Sequence, residues 1–116
     1  MKIVIIGLGT IGRTILRSLA GESHDITIID EDKEKIESLI ERYDVSGVVG
    51  NGACMDIQKE ALVKGADLVI VLTGSDELNI VACLVAKKVG AKCEIVKPQN
   101  ELYWNNKYVF DCYLSR

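Results

Sequence analysis

Histidine, proline and any excess of basic charge are what this chain has little of. It holds 1 histidine, His24, and its 4 cysteines, Cys54, Cys83, Cys93 and Cys112, form no C-x-x-C pair. No zinc set with workable spacing can be assembled from them. Nor can a nucleophile–base pair be read from the residue order. Acidic residues outnumber basic ones, 17 to 14, for a formal net charge of −3, so there is no basic patch for nucleic acid. No apolar run approaches the roughly eighteen residues of a membrane span. The N-terminus enters an apolar strand pattern at once, so no signal peptide is expected. The expectation is a soluble cytoplasmic protein whose thiols are reduced and mostly buried, Cys112 near the chain end being the exposed one.

What is present is a core-forming composition. Apolar residues make up 48% of 116, enough for one domain. Ile3 to Ile6 form a β-branched run that reads as a strand buried on both faces. Gly7, Gly9 and Gly12 follow it at G-x-G-x-x-G spacing. In a dinucleotide site the first glycine turns the chain, the second admits a pyrophosphate to the backbone amides, and the third lets the next helix press close. The helix N-terminus then favours the phosphate charge. A bare glycine triplet is weak, but Asp30 closes a second apolar run, DITIID, eighteen residues after Gly12. That is close to the spacing of an acid that grips the adenosine ribose. A 2′-phosphate would meet like charge there, with no arginine near, which favours NAD or an adenine nucleotide over NADP. The competing reading makes Asp30 an N-cap of the second helix.

The rest of the chain continues the alternation. Helices are expected over 10–20, 32–43, 55–63 and from Thr73–Glu77 to Val89, with Thr73 or Ser75 as the last helix's cap. Strands are expected over 25–30, 45–49, 67–72 and 92–96, the last ended by Pro98. The fold class is therefore α/β, a Rossmann-like doubly wound parallel sheet of order 3-2-1-4-5. Five of the six aromatics lie between Tyr103 and Tyr113. A short helix from Asn100 and a sixth strand over 108–113 fit there, and the tail 98–116 reads as packing on its own domain or as an interface. In such a sheet the ligand lies beyond the strand carboxyl ends. Those ends deliver Gly7, Leu8, Gly9, Thr10 and Ile11, then Asp30, then Asn51 and Gly52, then Thr73 and Gly74. A plain turn competes for Asn51–Gly52, and a helix cap for Thr73–Gly74. His24 precedes the second strand and falls on the opposite rim.

MKIVIIGLGTIGRTI, HDITIIDED, VVGNGACMD and ADLVIVLTGSDELNIVACLVAKK resemble the N-terminal domain of Trk/Ktr-type potassium-uptake regulators, the RCK or TrkA-N domain. The resemblance covers about Met1 to Gly90. The pattern T-x-S-D-E-x-N-x-x-A-C-x-x-A-K at 73–87 gives it specificity. It implies a cytoplasmic, membrane-peripheral regulator that binds NAD(H) or ATP/ADP at the residues just named. It also implies a homo-oligomer, a dimer or ring, beneath a membrane-embedded potassium transporter or channel. Family members often carry an arginine near the fifth strand, where this chain has Lys97. The usual C-terminal subdomain is absent, so the chain reads as a fragment or a single-domain relative over 1–116. Two other classes compete: the cofactor-binding half of an NAD-dependent oxidoreductase, and a redox sensor that uses Cys54. The helix after Ser75 is apolar more widely than one buried face requires, which predicts self-association there or through the tail.

Overall fold

The computed structural model describes residues 1–95. Nine elements alternate along them: β1 (Lys2–Ile6), α1 (Thr10–Ala20), β2 (Asp25–Asp30), α2 (Lys33–Arg42), β3 (Ser46–Val49), α3 (Met55–Glu60), β4 (Leu68–Val71), α4 (Asp76–Val89) and β5 (Glu94–Ile95). All strand pairs are parallel, in the order β3-β2-β1-β4-β5. The doubly wound sheet read from the sequence is therefore the observed one. The central strands are buried on both faces because each parallel crossover carries a helix back over the sheet. Ile3, Ile5, Ile28 and Ile70 pack with Leu16 of α1 and with Ile36 and Leu39 of α2. On the other face Val4, Ile6, Val69 and Val71 meet Ala82, Cys83 and Ala86 of α4. Those small side chains let α4 lie close to β4, while Val81 and Leu84 on its outer side stay exposed.

Helix boundaries follow capping chemistry. Asp32, not Asp30, is the N-cap of α2, accepting the Lys35 amide at 3.2 Å. Ser75, not Thr73, caps α4, accepting the Leu78 amide at 3.2 Å, and Gly90 ends the helix in the left-handed region at φ +117°. α3 stops three residues before the expected Val63. Leu62 turns to φ +61°, and the Val63 and Leu62 amides donate back to the Gln58 and Lys59 carbonyls. That is a Schellman ending with leucine where glycine is usual. The thiols also depart from expectation: Cys83 is buried, Cys93 half-buried and Cys54 exposed. No helix of the described residues is long and apolar enough to cross a membrane. The expected helix from Asn100, the sixth strand over 108–113, the tail 98–116, Lys97 and Cys112 lie outside the described residues.

Candidate functional site

Beyond the carboxyl ends of β1, β2, β3 and β4 opens a cleft of about 420 Å³. Its first wall is the β1–α1 turn. Gly7 sits at φ +96°, and a Cβ there would fall 2.6 Å from the Leu72 carbonyl carbon. Only glycine takes that backbone and that approach without strain. Gly12 is packed onto the same turn, and a methyl on it would overlap the Gly7 carbonyl oxygen. The third glycine thus lets α1 press close, and what it presses on is the turn itself. Gly9, by contrast, faces open space: a Cβ there would meet nothing within 4 Å. It is also the N-cap of α1, and no side chain caps that helix. The helix start is thus turned to the cleft with its first-turn amides unshielded by side chains, an anion-favouring arrangement.

The second wall carries charge. Asp30 ends β2 and lines the cleft. Its Oδ2 accepts the Leu8 amide at 2.9 Å, and its Oδ1 accepts the Asp32 amide at 2.9 Å. A carboxylate has about four lone-pair sites, so each oxygen keeps acceptor capacity toward the cleft. Glu31 and Lys35 line the same region. Lys35 thus adds a cation to the lining that Asp30 shares, although the sequence has no arginine near Asp30. Its signal was its place in the first turns of α2, whose start Asp32 fixes next to Asp30.

The third and fourth walls are the loops after β3 and β4. Asn51 and Gly52 line the cleft. The Asn51 Oδ1 accepts the Ala53 amide at 2.8 Å, so the turn reading also holds for it. Gly52 is packed so that a methyl would overlap Ile6. Thr73 and Gly74 line the opposite side together with Ser75 and Leu78. The polar groups of Thr73 are engaged by Asn79 of α4. Its amide donates to Asn79 Oδ1 at 3.0 Å, its hydroxyl donates to the same oxygen, and its carbonyl accepts Asn79 Nδ2 at 3.1 Å.

Of the ten residues read from the sequence, Gly7, Leu8, Gly9, Asp30, Asn51, Gly52, Thr73 and Gly74 come together in this cleft. Thr10 and Ile11 are not among its lining residues. They form the exposed first turn of α1, with Ile11 65% exposed. His24 lies at the other end of the sheet, its Nε2 2.8 Å from Glu22. No group of three or more His, Cys, Asp or Glu among the described residues could hold a metal ion.

Comparison with known proteins places this geometry in a family. Residues 3–104 match the model of the TrkA-N domain. A Trk system potassium uptake protein TrkA homolog from Archaeoglobus fulgidus is 43% identical over 103 residues, covering 89% of this chain and 23% of that protein. TrkA of Vibrio alginolyticus is 40% identical over 86 residues, covering 74% of this chain and 19% of that protein. The chain thus spans about a fifth of the length of these relatives. Among solved structures, the TrkA-N domain of the inner membrane protein ybaL from Escherichia coli superposes with a TM-score of 0.84 at 18% identity, over 96% of this chain and 81% of that one. The GsuK channel bound to NAD gives 0.82 at 19%, over 99% of this chain and 20% of that one. These two likenesses concern the fold. The family match and the sequence relatives together settle membership: the chain belongs to the TrkA-N domain family.

Proposed function

We propose that this chain is a nucleotide-binding regulatory domain, spanning 1–116, of a potassium-uptake system. NAD(H) or ATP/ADP lies in the cleft with its phosphates over the turn of Gly7, Leu8 and Gly9 and directed at the start of α1, which Thr10 and Ile11 form. Asp30 takes the ribose hydroxyls, Asn51 and Gly52 border the adenine, and Thr73 and Gly74 meet the far half. The observation that carries this reading is the joining, in one cleft, of a helix start with no side-chain cap and a carboxylate. The names of the sequence relatives, potassium uptake proteins, support the setting. The NAD in the GsuK channel structure supports the ligand class. The role is regulatory and not enzymatic: the cleft presents binding groups, and the one histidine lies at the opposite rim.

In this reading the domain is cytoplasmic and peripheral to the membrane. It works as a homo-oligomer, assembled through the outer side of α4 or the tail 98–116, and acts on a membrane-embedded potassium transporter or channel. The nucleotide favours one shape of that assembly by binding it more tightly than the other. The test is thermal unfolding of the purified protein with NAD, NADH, ADP and ATP. A ligand at one hundred times its dissociation constant should add about 2.7 kcal/mol. Unfolding that none of the four shifts would overturn the reading.

A further inference from the structure

Two buried carboxamides near the cleft are not accounted for by ligand contact. Asn79, in α4, is 2% exposed. It spends its Oδ1 and Nδ2 on the amide, hydroxyl and carbonyl of Thr73. Gln58, in α3, is 0% exposed, and its Nε2 donates to the Gly52 carbonyl at 2.7 Å and to the Ala82 carbonyl at 3.0 Å. Thr73 and Gly52 stand on opposite rims of the cleft. Asn79 and Ala82 are three residues apart, on one turn of α4. Both rims are thereby fastened to the same turn of the same helix.

Neither residue is explained by filling space. A methionine or leucine would fill the Gln58 site and carry no unmet Oε1, which has no partner among the described residues, but it would take the donor away from the Gly52 carbonyl. The amide is kept for what its nitrogen donates. Asn79 likewise occupies a position on the sheet-facing side of α4, beside Ala82, Cys83 and Ala86, where the neighbours are small and apolar. A polar side chain at such a site is held by its partners or not at all.

We propose that Asn79 and Gln58 are positioning residues for the cleft, holding its two rims at the separation the bound nucleotide spans. The word nucleotide rests on the function proposed above; the fastening of the rims does not. The experiment therefore has two arms, run on the full chain. The first is amide hydrogen exchange without ligand. Asn79→Ala should speed exchange of the Thr73 amide at least about tenfold, and Gln58→Met should do the same for the Ala53 amide in the 51–53 turn, with β1 amides changing far less. The second is affinity for NAD and ADP by calorimetry. Each variant should bind about tenfold more weakly, as expected when one or two orienting hydrogen bonds are lost. Ala86→Gly, which destabilises α4 one turn further on without touching either rim, should leave affinity unchanged.

Unchanged exchange at Thr73 and Ala53 overturns the proposal, whatever binds. Equal loss of affinity in Ala86→Gly also overturns it, since the effect would then be general loosening of the helix. A wild-type protein that binds neither ligand defeats the functional reading alone, and the exchange arm still decides the fastening. If Asn79→Ala does not fold, Gln58→Met, which preserves side-chain length and apolar packing, decides both arms.

Discussion

Leu8 and Asp30, 22 residues apart in the chain, are joined by a 2.9 Å hydrogen bond from the Leu8 amide to the Asp30 carboxylate. The acid that ends β2 thus holds the glycine turn that ends β1. Asp30→Ala leaves the Leu8 amide, which is partly buried, without its acceptor. The expected cost is about 1–3 kcal/mol of folding stability, beyond any effect on nucleotide binding. Asp30→Asn retains one acceptor oxygen and should lose less. Urea unfolding of the three proteins checks this, and an alanine variant as stable as the wild type would refute the structural role.

Gly9 and Gly12 belong to one motif but should respond differently to a single methyl. At Gly12 the methyl overlaps the Gly7 carbonyl, so α1 must lift from the turn. Gly12→Ala should destabilise by about 1–3 kcal/mol, as overpacked sites do. At Gly9 the methyl projects into open space and the backbone is extended at φ −72°. Gly9→Ala should stay within about 0.5 kcal/mol of wild type while weakening nucleotide binding more than tenfold, because the methyl occupies the phosphate approach. Melting curves with and without ADP separate the two effects. Equal stability losses at both glycines would show that the motif is only a folding device.

The contrast between those glycines also marks how far the sequence could be read. The β-branched runs at Ile3–Ile6 and Ile26–Ile29 and the spacing from Gly12 to Asp30 are local signals, and sheet order follows from them with the crossover rule. The loops that form the cleft are therefore legible in the sequence, because strand carboxyl ends are fixed by strand order. Residues that act across elements were harder. Asn79 is marked only as part of the 73–87 pattern, and Gln58 carries no local signal. Their partners, Thr73, Gly52 and Ala82, are set by how α3 and α4 pack together. Lys35 sits in a run of mostly charged residues over 31–37 with no local mark of a ligand site, and the fold places it in the cleft lining.

Leu62 illustrates a different failure of local signals. A helix end is usually announced by glycine, so a leucine in the left-handed region gives no warning. That conformation costs an L-residue about 1–2 kcal/mol, against about 0.5–1 kcal/mol of extra chain entropy lost by glycine. Leu62 is 62% exposed, so little packing is forfeited by removing it. Leu62→Gly should therefore raise stability by up to about 1 kcal/mol. Chemical denaturation measures it directly, and a loss of stability would mean that the Leu62 side chain contributes more than its exposure implies.

At the amino end of the sheet, Asp67 links three strands' worth of chain. Its Oδ2 accepts the Lys2 amide at 2.7 Å and its Oδ1 meets Lys92 Nζ at 3.2 Å. The Lys2 amide, and then the Lys92 ammonium, hold the Asp67 carboxyl below its usual value, against a smaller opposing effect of burial. A carboxyl lowered by folding binds its proton more weakly in the native state than in the unfolded one. Its contribution to stability is thus complete above the ordinary carboxylate pKa of about 4 and is lost as pH falls through the lowered native value. Asp67→Asn removes that titration. Melting temperatures of the two proteins should differ most near neutral pH and converge as pH drops below about 4. A gap that stays constant into acid would show that the charge on Asp67 does not take part in holding β1 to the chain before β4.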